Sequence, residues 1–270
     1  MQQKTVSALF RIEGGPADEG VLDIYDAANT IYGLARALNI VSHAFANDDE
    51  IRKRADNAHG AHTYIHSSIK GCFEEKVDIR FEAGRAAKLG PSVLVSNFWD
   101  YLLLSWSSAV GVEYQPTTAH VRRSLRKNED FTYEIADALE TPMLHMQKSI
   151  ARDNDVKIML NRPKVGDVLT FDTSSLAFVT VRDEKTHKSW ISGNVTKFNV
   201  LSDFGRLYSD EDERVLSFRL AHPDDQKMRS LAVNSMQEVV QGLPGKLRFE
   251  VSPVVSAQGI VKRYIVHSIR

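Results

Sequence analysis

Apolar and polar residues alternate from Thr5 to Glu13, which puts Val6, Ala8, Phe10 and Ile12 on one face of a predicted strand. Gly14-Gly15-Pro16 ends it. The period then lengthens. Ala27, Ile31, Leu34, Ala35, Leu38, Val41 and Phe45 recur at helical spacing, so a helix runs from a cap at Asp23 or Asp26 to about Ala46. The polar stretch 47–59 reads as a loop. Alternation returns in Ala61–Ile69 and Phe73–Phe81, which predict a hairpin turning at Lys70-Gly71. On its first strand Ala61, Thr63, Ile65 and Ile69 share one face, and His62, Tyr64 and His66 the other. On its second, Phe73, Val77, Ile79 and Phe81 oppose Glu74, Lys76, Asp78 and Arg80, the pattern of a sheet covered on one side. Glu75 falls on the apolar side. Its expected place is a frayed strand start beyond the core edge; the alternative is a partly buried carboxylate able to act as an acid or base.

Val93–Val112 is the most apolar run and is long enough to cross a bilayer. Asp100 sits at its middle, and Ser96, Asn97, Ser105, Ser107 and Ser108 dilute it. A central Asp costs about 2.5–3.5 kcal/mol on insertion scales. The run is therefore expected to be a buried helix with Asp100 hydrogen-bonded inside, not a membrane span. Two more helices are predicted at Thr117–Asn128 and Asp130–Arg152. The second turns Phe131, Ile135, Ala138, Leu139, Met143, Met146 and Ile150 inward, and Pro142 kinks or splits it. Short strands are expected at Val156–Leu160 and Val168–Asp172, with a connector at Asn161–Gly166 between them. The polar segment Asp183–Ser189 marks a domain boundary.

Past that boundary the pattern changes again. Trp190 to Val200 alternates, with Gly193 as a bulge; Phe204–Tyr208 and Val215–Phe218 follow as short strands. Met228, Leu231, Ala232, Met236, Val239 and Val240 make a helical stripe within Asp224–Gln241, and strands at Lys246–Val254 and Ile260–Ile269 close the chain. Three strands, a helix and two strands is the order of the OB barrel. The fold class is accordingly α+β. An N-terminal antiparallel sheet with packed helices, residues 1–183, precedes an OB-like five-stranded β-barrel with one inserted helix, residues 187–270.

Charge and motifs narrow the chemistry. The net charge of −1 excludes a chain-wide polybasic nucleic-acid binder but leaves room for a local patch. Cys72 is the one cysteine, so no intramolecular disulfide forms and a reducing compartment fits. The first residues lack a basic cap before a long apolar run, and the expected location is cytoplasmic. There is no Gly-x-Ser-x-Gly elbow, no His-Glu-x-x-His, no phosphate-binding Gly-rich loop and no Gly-x-Gly-x-x-Gly after a strand. Nothing near Cys72 in sequence would lower its pKa. His59, His62 and His66 are the only histidine cluster, yet on a strand only His62 and His66 agree in direction. The expectation is binding rather than catalysis, with neither a metal nor a cofactor.

Two candidate surfaces remain. Arg122, Arg123, Arg126 and Lys127, with His120, give two rows of positive charge at helical spacing, suited to a phosphate backbone or an acidic protein partner. In the barrel, Phe204, Arg206 and Tyr208 alternate onto one face of the second strand, the makings of a stacking platform for single-stranded nucleic acid. Lys197, Arg219, Lys262 and Arg263 add charge there. From His187 onward twelve Lys/Arg face nine Asp/Glu, a net of +3. The acidic turn Asp210-Glu211-Asp212-Glu213 opposes binding at that end, and the loops at Ser202-Asp203 and Ser256–Gly259 are short.

Gly193-Asn194-Val195-Thr196-Lys197-Phe198-Asn199 followed by Phe204-Gly205-Arg206-Leu207 resembles the opening of cold-shock domains. Lys197 stands where those carry a stacking Trp and Arg206 where they carry a stacking Phe. The whole chain also resembles a family of uncharacterised bacterial proteins. The marks are Arg11-Ile12-Glu13-Gly14-Gly15, Tyr25-Asp26, Tyr32-Gly33-Leu34-Ala35-Arg36, the Gly193–Tyr208 stretch and Val261-Lys262-Arg263-Tyr264. That resemblance implies a bacterial origin and this two-part layout. Three functional classes stay open: a binder of single-stranded nucleic acid, a protein-interaction subunit or homo-oligomer in a multiprotein assembly such as phage defence, and an enzyme or nucleotide sensor with a concave pocket.

Overall fold

Strand β1 (Lys4–Glu13) is the centre of the first sheet, and its burial alternates as its sequence does, with Val6, Ala8, Phe10 and Ile12 inside. The protein is seen in a computed structural model that describes residues 3–53, 57–66, 73–128, 131–183, 188–200 and 203–270. Strands β3 (Phe73–Phe81) and β4 (Lys157–Arg162) flank β1, while β2 (Ala61–Ile65) and β5 (Gly166–Phe171) are the edges. All the pairings are antiparallel, in the order β2-β3-β1-β4-β5. As an edge strand β2 covers little: Tyr64 and Ile65 are exposed, although alternation had put Ile65 on the covered face. The expected turn at Lys70-Gly71, together with Ile69 and Cys72, lies outside the described residues.

Helices α1 (Ile24–Ala46), α2 (Ala83–Leu89), α3 (Leu94–Val110), α4 (Ala119–Lys127), α5 (Phe131–Met146), α6 (Lys148–Arg152) and α7 (Thr173–Val179) complete this unit. Asp23 caps α1 by accepting from the Tyr25 and Asp26 amides, which supplies a partner for donors that the first turn cannot pair. Phe45 of α1 meets Phe81, Phe98 and Tyr101 edge-on at 5.3–5.6 Å, so a single ring joins α1, β3 and α3. Gly33 lets α5 press against α1. A Cβ there would lie 2.5 Å from the Pro142 carbonyl oxygen and 2.3 Å from the Met146 nitrogen. Pro142 stays inside α5; the break comes at Gln147, whose buried side chain accepts from Ser175 Oγ at 2.5 Å. The short helices α2 and α7 have too few periodic residues to read from sequence.

Two acidic residues correct the expected faces of β3. Glu75 is not a frayed end: it is 7 % exposed, opposite Phe10. Asp78, on the side expected to be wet, is equally buried, accepting from Ser7 Oγ at 2.6 Å and pairing with His66 Nε2 at 2.8 Å.

Helix α3 is buried on almost every side, with Phe98, Tyr101, Leu102 and Trp106 fully covered. Asp100 is 3 % exposed within it. Its carboxylate accepts from Tyr114 OH (2.8 Å), the Thr117 amide (3.0 Å) and hydroxyl (3.2 Å), and the Thr118 amide (2.8 Å) and hydroxyl (2.6 Å). Burial raises the pKa of this carboxyl, but the bonds from Thr118, Thr117 and Tyr114 outweigh it, and the net direction is below the ordinary value. Among the described residues no helix is long and apolar enough to cross a membrane.

The chain divides into the units Met1–Val179 and Thr180–Arg270. In the second, β7 (Ser189–Asn199), β8 (Phe204–Ser209), β9 (Arg214–Leu220), β10 (Lys246–Ser256) and β11 (Val261–Ile269) close a barrel in the order β7-β8-β9-β11-β10-β7. The β9–β11 pair is parallel and the others antiparallel. Helix α8 (Gln226–Val240) lies between β9 and β10 in sequence, which is the OB arrangement. Val195, Leu207, Phe218, Phe249, Val251 and Val266 fill the interior, and α8 adds Met228 and Ala232. Strand β6 (Val181–Asp183) pairs with β10 outside the closed ring, so these residues join the second sheet.

Removing the Asp100 carboxylate orphans several donors at once. Asp100→Leu should lower unfolding stability by about 2–4 kcal/mol in chemical denaturation. The folded-state pKa is depressed, so the stabilisation is complete above the unfolded value of 3.8 and is lost as pH falls through the lower folded one. Asp100→Asn should therefore lose less stability than wild type between about pH 5 and about pH 2.

Candidate nucleic-acid interface

The barrel's outer surface follows from strand parity. Gly205, Leu207 and Ser209 of β8 point inward, as do Leu216 and Phe218 of β9, so Phe204, Arg206 and Tyr208 point out. Register then sets their neighbours. Lys197 on β7 faces Arg206, which faces Ser217 on β9, which faces Arg263 on β11. The next row is Asn199, Phe204, Arg219 and Ile265. Three of the expected cations thus share one cross-strand row, and Phe204 and Arg219 share the next. Lys262 does not join them: it is the residue passed over where the β10–β11 register shifts between Val254 and Val255.

Parity gives direction but not depth. Arg206, with neighbours on both sides, is 8 % exposed and Ser217 is 7 % exposed, while Tyr208 near the strand end reaches 36 %. Phe204, Lys197 and Arg263 are half-buried and Arg219 is exposed. The platform is therefore closed at its middle and open at its ends. Lys246 Nζ lies 5.9 Å from the centroid of the Tyr208 ring.

The acidic turn is bonded to neighbouring strands. Asp210 pairs with Lys246. Glu211 accepts the Ser192 amide with both oxygens at 2.9 and 3.0 Å. Asp212 accepts from Ser209 Oγ (2.6 Å) and Tyr264 OH (2.7 Å). These carboxylates tie the β8–β9 turn to β7, β10 and β11. At the other end of β8, Asp203 adopts a positive φ of 54° and is held by the Arg229 guanidinium of α8 at 2.7 and 2.8 Å, a bidentate pair.

Gly193 is not the bulge. The β7–β8 register slips at Thr196, between Val195 and Lys197. Gly193 is instead a close approach, because a Cβ there would lie 2.0 Å from the Tyr208 carbonyl oxygen. Ser235 of α8 accepts the Val195 amide at 3.0 Å and donates to the Gly245 carbonyl at 2.5 Å, joining the helix to β7 and to the approach of β10.

Arg122, Arg123, Arg126 and Lys127 do form a helix, α4, which belongs to the first unit, whereas the barrel residues belong to the second. Glu129 and Asp130, expected to neutralise it, lie outside the described residues. The three histidines of the expected cluster have separate partners. His59 donates its amide to His43 Nδ1 (3.1 Å), His62 lies 3.4 Å from Glu82, and His66 pairs with Asp78. Among the described residues no group of three His, Cys, Asp or Glu is placed to hold a metal. Ser7, Asp78 and His66 sit together, but the Ser7 proton goes to Asp78 and not to the imidazole, so the row is not a nucleophile with its base. One cluster escaped the sequence reading. The Trp190 ring has Arg248 at 5.6 Å and Arg270 at 4.7 Å, brought together only by the pairing of β7, β10 and β11.

A family model described as a domain of unknown function, DUF7946, matches residues 8–161, which is more than half of the chain. The chain belongs to the DUF7946 family. The matched span lies inside the first unit, so the barrel falls outside the family match. No curated protein and no solved structure matches the chain.

The close approach at Gly193 is testable. Gly193→Ala should cost about 1–3 kcal/mol through overpacking of β7 on β8. Gly84→Ala, in α2 with nothing near its Cβ position, should be neutral or stabilise by about 0.5–1 kcal/mol. Urea midpoints of the two variants separate these outcomes.

Proposed function

We propose that the chain acts by binding rather than catalysis, and that single-stranded nucleic acid is held on the outer face of β8 and β9. The observation that supports this is the register: Lys197, Arg206 and Arg263 in one row, with Phe204 and Arg219 in the next. In OB barrels the second and third strands form the usual oligonucleotide face. The cations meet phosphates, and the rings at the open ends of β8 meet bases, each stack contributing about 1–3 kcal/mol. The acidic turn is engaged in internal bonds, Asp210 with Lys246, Glu211 with the Ser192 amide and Asp212 with the Ser209 hydroxyl. Contact with about three phosphates gives a logarithmic salt slope near −2, because each neutralised phosphate of a single strand contributes about −0.7.

A second reading rests on a different surface. Val21, Ile24, Tyr25 and Tyr32 expose large apolar area along the start and outer side of α1, with Ile24 at 85 %. This favours a protein-interaction subunit of a bacterial assembly, of which phage defence is one example. Native mass spectrometry of the purified protein distinguishes a stable protein partner from a bound oligonucleotide.

Titration of labelled oligonucleotides at low salt tests the first reading. Wild type should bind with an affinity that falls as salt rises, and Phe204→Ala/Tyr208→Ala should weaken binding by at least about tenfold. Absence of binding by wild type rejects the reading; equal binding by both proteins moves the site off this face.

A further inference from the structure

The first unit contains a cleft of about 650 Å³ between α2, the end of α1 and the starts of α3 and α4. Three of its lining side chains are cations, Arg85 and Lys88 of α2 and Arg123 of α4. None of the three makes a hydrogen bond or an ion pair with a described residue. Some arginines of this unit are held otherwise: Arg11, Arg52 and Arg152 each meet a carboxylate at 2.6–2.9 Å. Three cations around one concavity make it a positive site to which an anion would be drawn.

A second observation points to the same place. Asn97 lines the cleft and is 8 % exposed, so its side-chain amide is part of the cleft wall. An amide in a cleft wall offers both a donor and an acceptor to a ligand. Asn97 and Ser96 belong to the first turn of α3, which carries no side-chain cap, so the positive end of a 17-residue helix faces the same space. On the acidic side Asp48 lines the cleft. Asp49 is engaged by Tyr101 OH at 2.9 Å, and Asp100 by its own donors. Burial holds His120 below its ordinary pKa against the pull of Asp49, with Arg123 adding to the lowering, so its ring lines the wall as a neutral imidazole. The lining then carries three positive charges and one negative, a net of +2.

We propose that this cleft binds a phosphate-bearing small molecule of nucleotide size. Arg85, Lys88 and Arg123 grip the phosphate, and the Asn97 amide orients it. A net of +2 matches a phosphomonoester dianion, and guanidinium forks match its oxygens. The volume lies within the range of small-molecule sites and exceeds what a lone phosphate fills. Ala46, Leu89 and the His120 ring remain to contact the organic part. The site lies wholly within the first unit, so it stands or falls independently of the barrel reading.

Calorimetric titration of the full chain at low salt with pyrophosphate, AMP and ATP, and with adenosine as the uncharged control, tests the assignment. Saturable binding of at least one phosphate probe is expected, weakening with salt, with adenosine bound far less well than AMP. Arg85→Gln and Arg123→Gln should each weaken it about tenfold or more, while Lys157→Gln, an exposed cation of β4 outside the cleft, should not. Circular dichroism checks that each variant is folded, and Lys88→Gln replaces either one that is not. Three outcomes overturn the proposal: no saturable binding of any phosphate probe at millimolar concentration, equal binding of adenosine and AMP, or equal binding by wild type and the cleft variants.

Discussion

Asp100 places a carboxylate in the middle of the chain's most apolar helix, where an uncompensated charge is costly. Five donors from residues 114–118 compensate it. Two of these are the backbone amides of Thr117 and Thr118, just ahead of α4, so the same carboxylate lies at the positive end of that helix. One interaction therefore keeps α3 soluble in its own core and fixes where α4 begins. Thr118 has a double role, donating to Asp100 and accepting the Val121 amide as the cap of α4. His120 and Arg123 reach the cleft because α4 starts there.

The second unit is organised by closure. A barrel of five strands needs a partner for every edge, and the parallel β9–β11 pair supplies the last one. Closure also sets demands on small residues. Gly193 admits the Tyr208 carbonyl, and the slip at Thr196 bends β7 so that the ring can close. The acidic turn, read alone, looks repulsive to nucleic acid; folded, its carboxylates serve as staples between strands.

The two cationic surfaces differ in kind. On the barrel the cations sit in a cross-strand row on a convex face, which suits a backbone running across strands. In the first unit they surround a concavity, which suits a compact anion. The first arrangement follows from alternation within strands and their register; the second needs α2 and α4, whose cations are far apart in the chain, to approach each other around the start of α3.

The strand and helix order of the barrel, the capped start of α1, and the burial and hydrogen bonding of Asp100 were legible in the sequence. Each depends on local periodicity or on the energetic rule against unpaired buried charge. The short helices α2 and α7 and the break at Gln147 were not, because a helix of one or two turns has no stripe to read and is held by its neighbours. Among the candidate residues, alternation determined that Phe204, Arg206 and Tyr208 point outward. Only the tertiary structure decided that Arg206 is covered while Tyr208 is open, that Lys262 falls on a register shift, and that Arg85, Lys88 and Arg123 converge. The physical reason is range: periodicity is a property of residues a few positions apart, whereas depth, register slips and converging charges are set by segments that meet only when the chain packs.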